Sequence, residues 1–114
     1  MDQSELGWSS EKREGGQVVA PVGRVDEATA SVFTERLIAE AEIVDDLLVV
    51  DLAGIEYMSS RGLRALTLAQ RKAAESGITI ALARPNAIMR EILAISRYDM
   101  IFRVSETIED AFAS

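Results

Sequence analysis

The segment Leu47–Leu66, LLVVDLAGIEYMSSRGLRAL, constrains the fold more than any other part of the chain. Its apolar first part, Leu47–Leu52, breaks at Ala53-Gly54, and a second short apolar stretch leads to Ser59 and Ser60 directly before an amphipathic run. This order predicts a buried strand followed by a helix whose N-terminus carries serine. The first turn of a helix has unpaired N–H groups and a partial positive charge, which suit a serine cap and would also accommodate a phosphate.

The residues before this segment predict a hairpin and a helix. The hairpin strands are expected at Leu6–Glu11 and Gln17–Val25, and Pro21 within the second strand indicates an edge position or a bulge. Asp26 is then expected to cap a helix over Glu27–Glu42. Apolar residues at helical spacing indicate that this helix buries a stripe containing Phe33 and Leu37.

The residues after it predict two further strands and three helices. The serine-capped helix is expected from about Ser60 to Glu75, ending at Gly77, and a strand follows at Ile78–Ala83. Pro85 is suited to the first turn of a helix that runs to about Ser96. On that helix Ile88, Ile92 and Ile95 share one face. The chain is then predicted to close with a strand at Tyr98–Val104 and a helix from Ser105-Glu106-Thr107 through Phe112.

These elements define the fold class. Their order, β-β-α-β-α-β-α-β-α, predicts a single α/β domain with a mixed, mostly parallel sheet of about four to five strands and about four helices. We expect residues 15–114 to form this domain and residues 1–14 to be an N-terminal tail or a first edge strand. The length of 114 residues and the 48% hydrophobic composition are sufficient for one core.

Charge and composition exclude several classes of function. The formal net charge of −7 argues against nucleic acid and anionic membrane surfaces as partners. The chain has no cysteine and no histidine, so disulfides, thiolate nucleophiles and the commonest general base and metal ligands are absent. No signal-peptide pattern or membrane-spanning apolar run occurs, which leads us to expect a cytoplasmic protein without direct membrane insertion.

Motifs for enzyme chemistry are also missing from the sequence. There is no GxxxxGK[ST] phosphate loop, no dinucleotide fingerprint and no carboxylate pair that the spacing marks as acid and base. Asp51 ends a strand as the phosphoacceptor of a receiver domain does, but receivers also need a further acidic pair and a lysine after a late strand. The only lysines here are Lys12 and Lys72. We therefore expect neither enzymatic activity nor a metal or cofactor.

Several motifs in order resemble the STAS domain of bacterial anti-sigma factor antagonists. VGRVDEATA is followed by a strand ending in VVDLAGIEYM, by Ser-Ser-x-Gly-Leu opening a helix, and by GITIALARPNAIMREILAISRYDMIFRVSETIEDAF. The resemblance covers about residues 15–113. It implies that the protein is an anti-sigma factor antagonist, whose unmodified form binds a partner that is both serine kinase and anti-sigma factor and frees the sigma factor.

The resemblance also implies where such a protein is phosphorylated. The usual motif is Asp-Ser-Ser-Gly or Asp-Ser-Thr-Gly, with the phosphoacceptor immediately before the glycine. The aligned residues are Ser59, Ser60, Arg61 and Gly62, so an arginine occupies the acceptor position. Ser60 is then the first candidate for phosphorylation and Ser59 the second. The alternatives are that both serines only cap the helix, or that the chain is a binding module locked in the unmodified state.

The second helix offers a candidate partner surface. Arg61, Arg64, Leu68, Arg71 and Glu75 follow helical spacing and are expected to face outward, beside an apolar stripe of Leu63, Leu66, Ala69 and Ala73. In the STAS fold the Gly-x-x-Asp turn at Asp26 lies at the same end of the sheet as the serines. The predicted partner-binding residues are Asp26, Ser59, Ser60, Arg61, Gly62, Arg64 and Leu68.

Two other functions are compatible with the same fold. The first is a structural or adaptor STAS subunit of a stressosome-like complex or of a lipid-transporting ABC system, which the arginine before Gly62 favours. The second is a module that binds a small ligand or a nucleotide, which only the fold supports. The sequence is also compatible with a homodimer.

Overall fold

The computed structural model of the protein describes residues 6–113. Residues 1–5 of the predicted tail or edge strand, and Ser114, lie outside the described residues. Within 6–113 the helices and strands are, in chain order, β1 (Gly7–Arg13), β2 (Gly16–Val25), α1 (Ala30–Ala41), β3 (Leu47–Asp51), β4 (Ile55–Met58), α2 (Ser60–Ala74), β5 (Thr79–Ala83), α3 (Ala87–Ser96), β6 (Val104–Ser105) and α4 (Ile108–Ala113). The predicted α/β class with four helices is confirmed.

The six described strands form one mixed sheet. Its order is β1-β2-β3-β5-β6, and β4 pairs with β2 outside this path. β1 is antiparallel to β2, whereas every other pairing is parallel. The predicted antiparallel hairpin at the edge and the parallel arrangement of the later strands are therefore confirmed.

β2 changes its parallel partner halfway along, and this change creates room for β4, a strand that the sequence did not predict. Residues Gly16–Val19 pair with β3, whereas Gly23–Val25 pair with β4. Pro21 lies between these two stretches in an inner strand, so of the two predicted alternatives, an edge position or a bulge, the edge position is wrong. The irregularity in the register falls between Gly23 and Arg24, two residues after the proline.

The sheet is covered on both faces, by three helices on one side and by α4 on the other. The larger core packs residues of α1, α2 and α3 against the strands, and Phe33 and Leu37 of α1 are fully buried in it, as predicted. Full burial of a side chain of this kind contributes about 1.5–3 kcal/mol. The smaller core joins Ile108 and Ala111 of α4 to the opposite face of the strands.

The first helix begins three residues later than predicted, and Asp26 is not its cap. Thr29 is the N-cap of α1, and Ala30 is its first residue. The Asp26 carboxylate instead accepts a hydrogen bond from the backbone N–H of Ala28 at 3.0 Å, and its carbonyl accepts from the N–H of Thr29 at 3.1 Å. Aspartate often bonds to the backbone two residues on, which favours a turn over a helix.

Of the three isoleucines predicted to share one face of the third helix, only Ile92 packs against the core, and it is half-buried. Met89 and Leu93 are buried, whereas Ile88 and Ile95 are 54% and 77% exposed. The helix carries apolar residues on both faces, so spacing alone did not identify the buried one. Pro85 also lies outside the helix, directly before the N-cap Asn86.

The predicted strand Tyr98–Val104 is mostly absent. Tyr98–Met100 form a short 3-10 helix, and β6 keeps only Val104–Ser105. Tyr98 is the cause, because its hydroxyl accepts a hydrogen bond from Thr67 of α2 at 2.9 Å and its ring stacks on Phe102 at 6.1 Å. These contacts hold the chain in a helical turn before it reaches the sheet.

Candidate functional site

The end of the sheet brings the start of α2 next to the loop that precedes α1. Val25 of β2 lies opposite Met58 of β4, and the Val25 carbonyl accepts a hydrogen bond from the backbone N–H of Ser59 at 2.8 Å. Asp26 and Ser59 therefore follow directly from paired residues of parallel strands. This arrangement brings the two predicted partner-binding segments together at one edge.

The two serines have different environments. Ser59 is the N-cap of α2, is half-buried, and accepts a hydrogen bond at its hydroxyl oxygen from the Gly62 N–H at 3.3 Å. Ser60 is the first helical residue and is exposed. The capping role considered for both serines thus belongs to Ser59, and Ser60 presents its hydroxyl group to solvent.

Gly62 allows α2 to approach the sheet closely. A Cβ atom at this position would lie 2.5 Å from Cγ of Met58 and 2.9 Å from the carbonyl oxygen of Val25. Only a glycine fits against backbone at such distances. Gly62 is buried, so it positions the start of α2 and the exposed surface is formed by its neighbours.

The outer face of α2 carries the predicted charged stripe. Arg61, Arg64, Arg71 and Glu75 are exposed, and Leu68 between them is 37% exposed. The neighbouring apolar stripe faces the core, with Leu63 half-buried and Leu66, Ala69 and Ala73 buried. Both orientations agree with the helical spacing in the sequence.

A groove between α1 and α2 adds residues that the sequence did not single out. Its volume is about 340 Å³. It is lined by Ala30, Ser31, Thr34 and Glu35 of α1 and by Arg61, Arg64, Ala65 and Leu68 of α2. The sequence does not predict the α1 residues of this groove, because the groove forms only where α2 lies beside α1. Nothing in the local sequence specifies that neighbour.

Asp26 belongs to a small network of polar contacts beside the serines. Its carboxylate lies 3.9 Å from Nε of Arg24, whose guanidinium sits 4.8 Å from the centre of the Tyr57 ring. The Thr29 hydroxyl donates a hydrogen bond to the Arg24 carbonyl at 2.7 Å and accepts one from the Asp26 N–H at 3.0 Å. The network fixes the loop, so the site has a defined shape before any partner binds.

Asp51 lies outside this site. Its carboxylate accepts hydrogen bonds from Nε of Arg84 at 3.1 Å and from the Ala53 N–H at 3.0 Å. Together with Ile108 and Glu109 of α4, both residues line a separate cavity of about 410 Å³. In the part of the chain that the structure describes, no three acidic residues are grouped to hold a metal ion, and no helix is long and apolar enough to cross a membrane.

The protein is a small α/β domain in which β2 changes its parallel partner from β3 to β4. A serine-capped helix begins where β2 and β4 end. The STAS domain model matches residues 8–111 of the chain. The protein belongs to the STAS domain family.

Individual proteins agree with this assignment. The chain is 28% identical over 104 residues to BtrV of Bordetella bronchiseptica, covering 91% of this chain and 90% of that protein. It is 28% identical over 100 residues to anti-sigma-F factor antagonist RsfB of Mycobacterium tuberculosis, covering 85% and 79%. The crystal structure of an anti-sigma factor antagonist from Mycobacterium paratuberculosis has the same fold, with a TM-score of 0.80, 24% identity and coverage of 98% and 95%.

Proposed function

We propose that the protein is an anti-sigma factor antagonist. In this proposal it is a cytoplasmic, non-enzymatic binding protein that engages an anti-sigma factor of the serine-kinase type and so releases the sigma factor. The name of the RsfB relative supports the class of function. The proposed contact surface is the edge at which β2 and β4 end, with Asp26, Ser59, Ser60, Arg61, Arg64 and Leu68 around the buried Gly62.

The exposed position of Ser60 carries the proposal of a phosphorylation switch. A kinase must reach the hydroxyl group that it modifies, and Ser60 is exposed on the first turn of α2. Ser59 is the second candidate, because its oxygen is occupied by the cap bond from Gly62 and its side chain is half-buried. Modifying Ser59 would also remove a cap that is worth about 1 kcal/mol.

A phosphate on Ser60 would change binding and leave the fold intact. It adds about −1.5 to −2 charges at a helix N-terminus, where the dipole favours negative charge by about 0.3–1 kcal/mol. A partner that covers Ser60 must desolvate this charge. A penalty of only about 2.8 kcal/mol lowers the affinity about a hundredfold, which is sufficient for a switch.

Arg61 favours a second candidate function, an ungated adaptor. The motif of the family has its phosphoacceptor immediately before the glycine, and this chain has an exposed arginine there. An arginine neither accepts phosphate from such a kinase nor imitates its charge. In this alternative the protein binds its partner permanently, as a subunit of a stressosome-like complex or of a lipid-transporting ABC system.

Mass spectrometry distinguishes the two functions. The wild type and the variants Ser59→Ala and Ser60→Ala are incubated with ATP and the serine-kinase-type anti-sigma factors of the source organism. Intact masses and phosphopeptides are then measured. We expect one phosphate on the wild type and on Ser59→Ala, and none on Ser60→Ala.

Binding of the same kinases to the unmodified protein completes the experiment. A wild type that takes up no phosphate from any of these kinases and still binds one of them favours the ungated adaptor. Phosphate lost only in Ser59→Ala contradicts the assignment to Ser60, and failure of every anti-sigma factor to bind contradicts the antagonist function. Matched circular dichroism spectra of the three proteins exclude unfolding as the cause.

A further inference from the structure

The charge of α2 is opposite to that of the rest of the molecule. The residues Ser60–Ala74 include four basic side chains, Arg61, Arg64, Arg71 and Lys72, and no acidic one. The helix therefore has a side-chain charge of +4 in a chain of net charge −7, which leaves −11 for all other residues. This concentration of positive charge on one element requires an explanation other than solubility, since a chain at −7 is already far from neutral.

The arginines of α2 do not stabilise the fold through ion pairs. Among residues 6–113, the ion pairs within 4.0 Å are formed by other basic side chains, such as Arg84 with Asp51 and Lys72 with Glu75. Arg61, Arg64 and Arg71 form no such pair within the described residues. Their positive charge is available to a molecule that docks on α2.

The residues around these arginines favour a protein over a nucleic acid as the molecule that binds α2. Leu68 lies between Arg64 and Arg71 on the same stripe and is 37% exposed, so the face offers an apolar contact among charges. A nucleic acid extends well beyond one helix and would meet the −11 charge of the remaining surface, which repels phosphates over about 10 Å at 0.1 M salt. A protein face of limited size avoids that repulsion.

We propose that the arginine face of α2, formed by Arg61, Arg64 and Arg71 around Leu68, docks onto an acidic surface of the protein partner. This inference rests on the proposed function for the identity of the partner and specifies its chemistry: aspartate and glutamate side chains placed opposite the arginines. Charges of opposite sign across an interface accelerate encounter and select the correct partner. Glu35 of α1, which lines the same groove as Arg61 and Arg64, marks the border of the basic face.

The test compares two charge reversals of equal size at opposite ends of the sheet. Arg64→Glu alters the arginine face, whereas Lys12→Glu changes the net charge by the same amount on the exposed edge strand β1. Lys12 lies opposite Gln17 near the start of β2, and α2 begins beyond the end of that strand. Both side chains are exposed, so both variants are expected to fold.

Affinities for the serine-kinase-type anti-sigma factor of the source organism are measured by titration calorimetry at about 0.05 M and about 0.5 M NaCl. We expect Arg64→Glu to weaken binding about tenfold or more at low salt, and Lys12→Glu to weaken it less than about threefold. The wild-type affinity should fall with salt, and the dependence should be smaller for Arg64→Glu. A glutamate-to-arginine change on the partner that restores binding of Arg64→Glu would identify the facing residue.

Two results overturn the inference. Equal affinities of Arg64→Glu and Lys12→Glu, with binding that does not change with salt, contradict an acidic docking surface while leaving the antagonist function in place. Failure of the wild type to bind any anti-sigma factor of the organism contradicts the proposed function and, with it, this inference.

Discussion

Helices α2 and α3 have the same kind of N-cap but pack against the rest of the molecule differently. Each starts after a polar N-cap that accepts a hydrogen bond from the N–H of the third helical residue, at 3.3 Å for Ser59 and Gly62 and at 2.9 Å for Asn86 and Met89. At that third position α2 has a glycine and α3 a buried methionine. Gly62 lets α2 pack directly against the backbone of β2, whereas α3 packs through the buried side chain of Met89.

The polar groups of the two helices are also used differently. The Asn86 amide donates a second hydrogen bond to the Ile55 carbonyl at 2.7 Å, and Arg90 forms a hydrogen-bonded ion pair with Glu106. On α2 the arginines face solvent without such pairs among the described residues. The Asn86 amide and the Arg90 guanidinium of α3 thus serve the fold, whereas the three arginines of α2 are available for binding.

The largest expected effect tests the packing of α3. Met89 is fully buried, and Met89→Ala should lower the free energy of unfolding by about 2–5 kcal/mol, because it leaves a cavity in the core. Urea denaturation measures the change. Ile88→Ala on the same helix, at a position 54% exposed, is the matched control and should cost less than about 1 kcal/mol. Equal losses for the two variants would mean that Ile88 is packed as tightly as Met89, which contradicts this orientation of α3.

The opposite change in volume tests α2. Gly62→Ala should destabilise the protein by about 1–3 kcal/mol, because the new methyl group meets Met58 and the Val25 carbonyl. Alanine favours helix by about 1 kcal/mol over glycine, so a stabilised variant would show that α2 is not packed as closely as described. Ser60→Ala, at an exposed position two residues earlier, should stay within about 0.5 kcal/mol of the wild type in the same urea titration.

The two caps differ by the additional hydrogen bond of Asn86. Asn86→Ala removes both its bond from Met89 and its bond to Ile55, and we expect a loss of about 2 kcal/mol. Ser59→Ala removes one longer bond and should cost about 0.5–1 kcal/mol. Thermal unfolding followed by circular dichroism ranks the variants, and a larger loss for Ser59→Ala would reverse the comparison.

The smallest effect concerns pH. The hydrogen bond from Arg90 lowers the pKa of the Glu106 carboxyl from its usual 4.5. The pair therefore stabilises the folded protein above pH 4.5, and this contribution is lost as pH falls through the lowered pKa. The side chains are exposed, so the effect is small. Glu106→Gln and Arg90→Gln should each flatten the acid side of the stability profile slightly, and profiles identical to the wild type would contradict the pairing.

Much of the fold follows from local sequence patterns. The buried run Leu47–Leu52 and the amphipathic run after Ser60 are long and regular, and both elements lie where the spacing predicts them. β4 was missed because a strand of four residues depends on a partner, and that partner is the end of β2. The late start of α1 depends on the hydrogen bond of the Asp26 side chain to the backbone, which helix propensity does not capture. The 3-10 turn at Tyr98 depends on its contact with the distant Thr67.

The candidate site divides in the same way. Helical spacing alone predicted the outward stripe of Arg61, Arg64 and Leu68, and the cap at Ser59 followed from its place before the helix. The role of Gly62 and the contribution of Glu35 to the groove depend on how α2 packs against β2 and α1. Tertiary packing of this kind has no signature in a single sequence.

Release of a sigma factor from its anti-sigma factor is the direct readout of the proposed antagonist function. A preformed complex of the two, from the source organism, is titrated with the wild type, with Ser60→Asp and with Ala87→Asp, and free sigma factor is measured by size-exclusion chromatography. Ser60 and Ala87 are the exposed first residues of α2 and α3, so the two variants add the same charge to equivalent places. We expect release by the wild type and by Ala87→Asp, and little or none by Ser60→Asp. Equal release by all three proteins, or none by the wild type, would contradict this expectation.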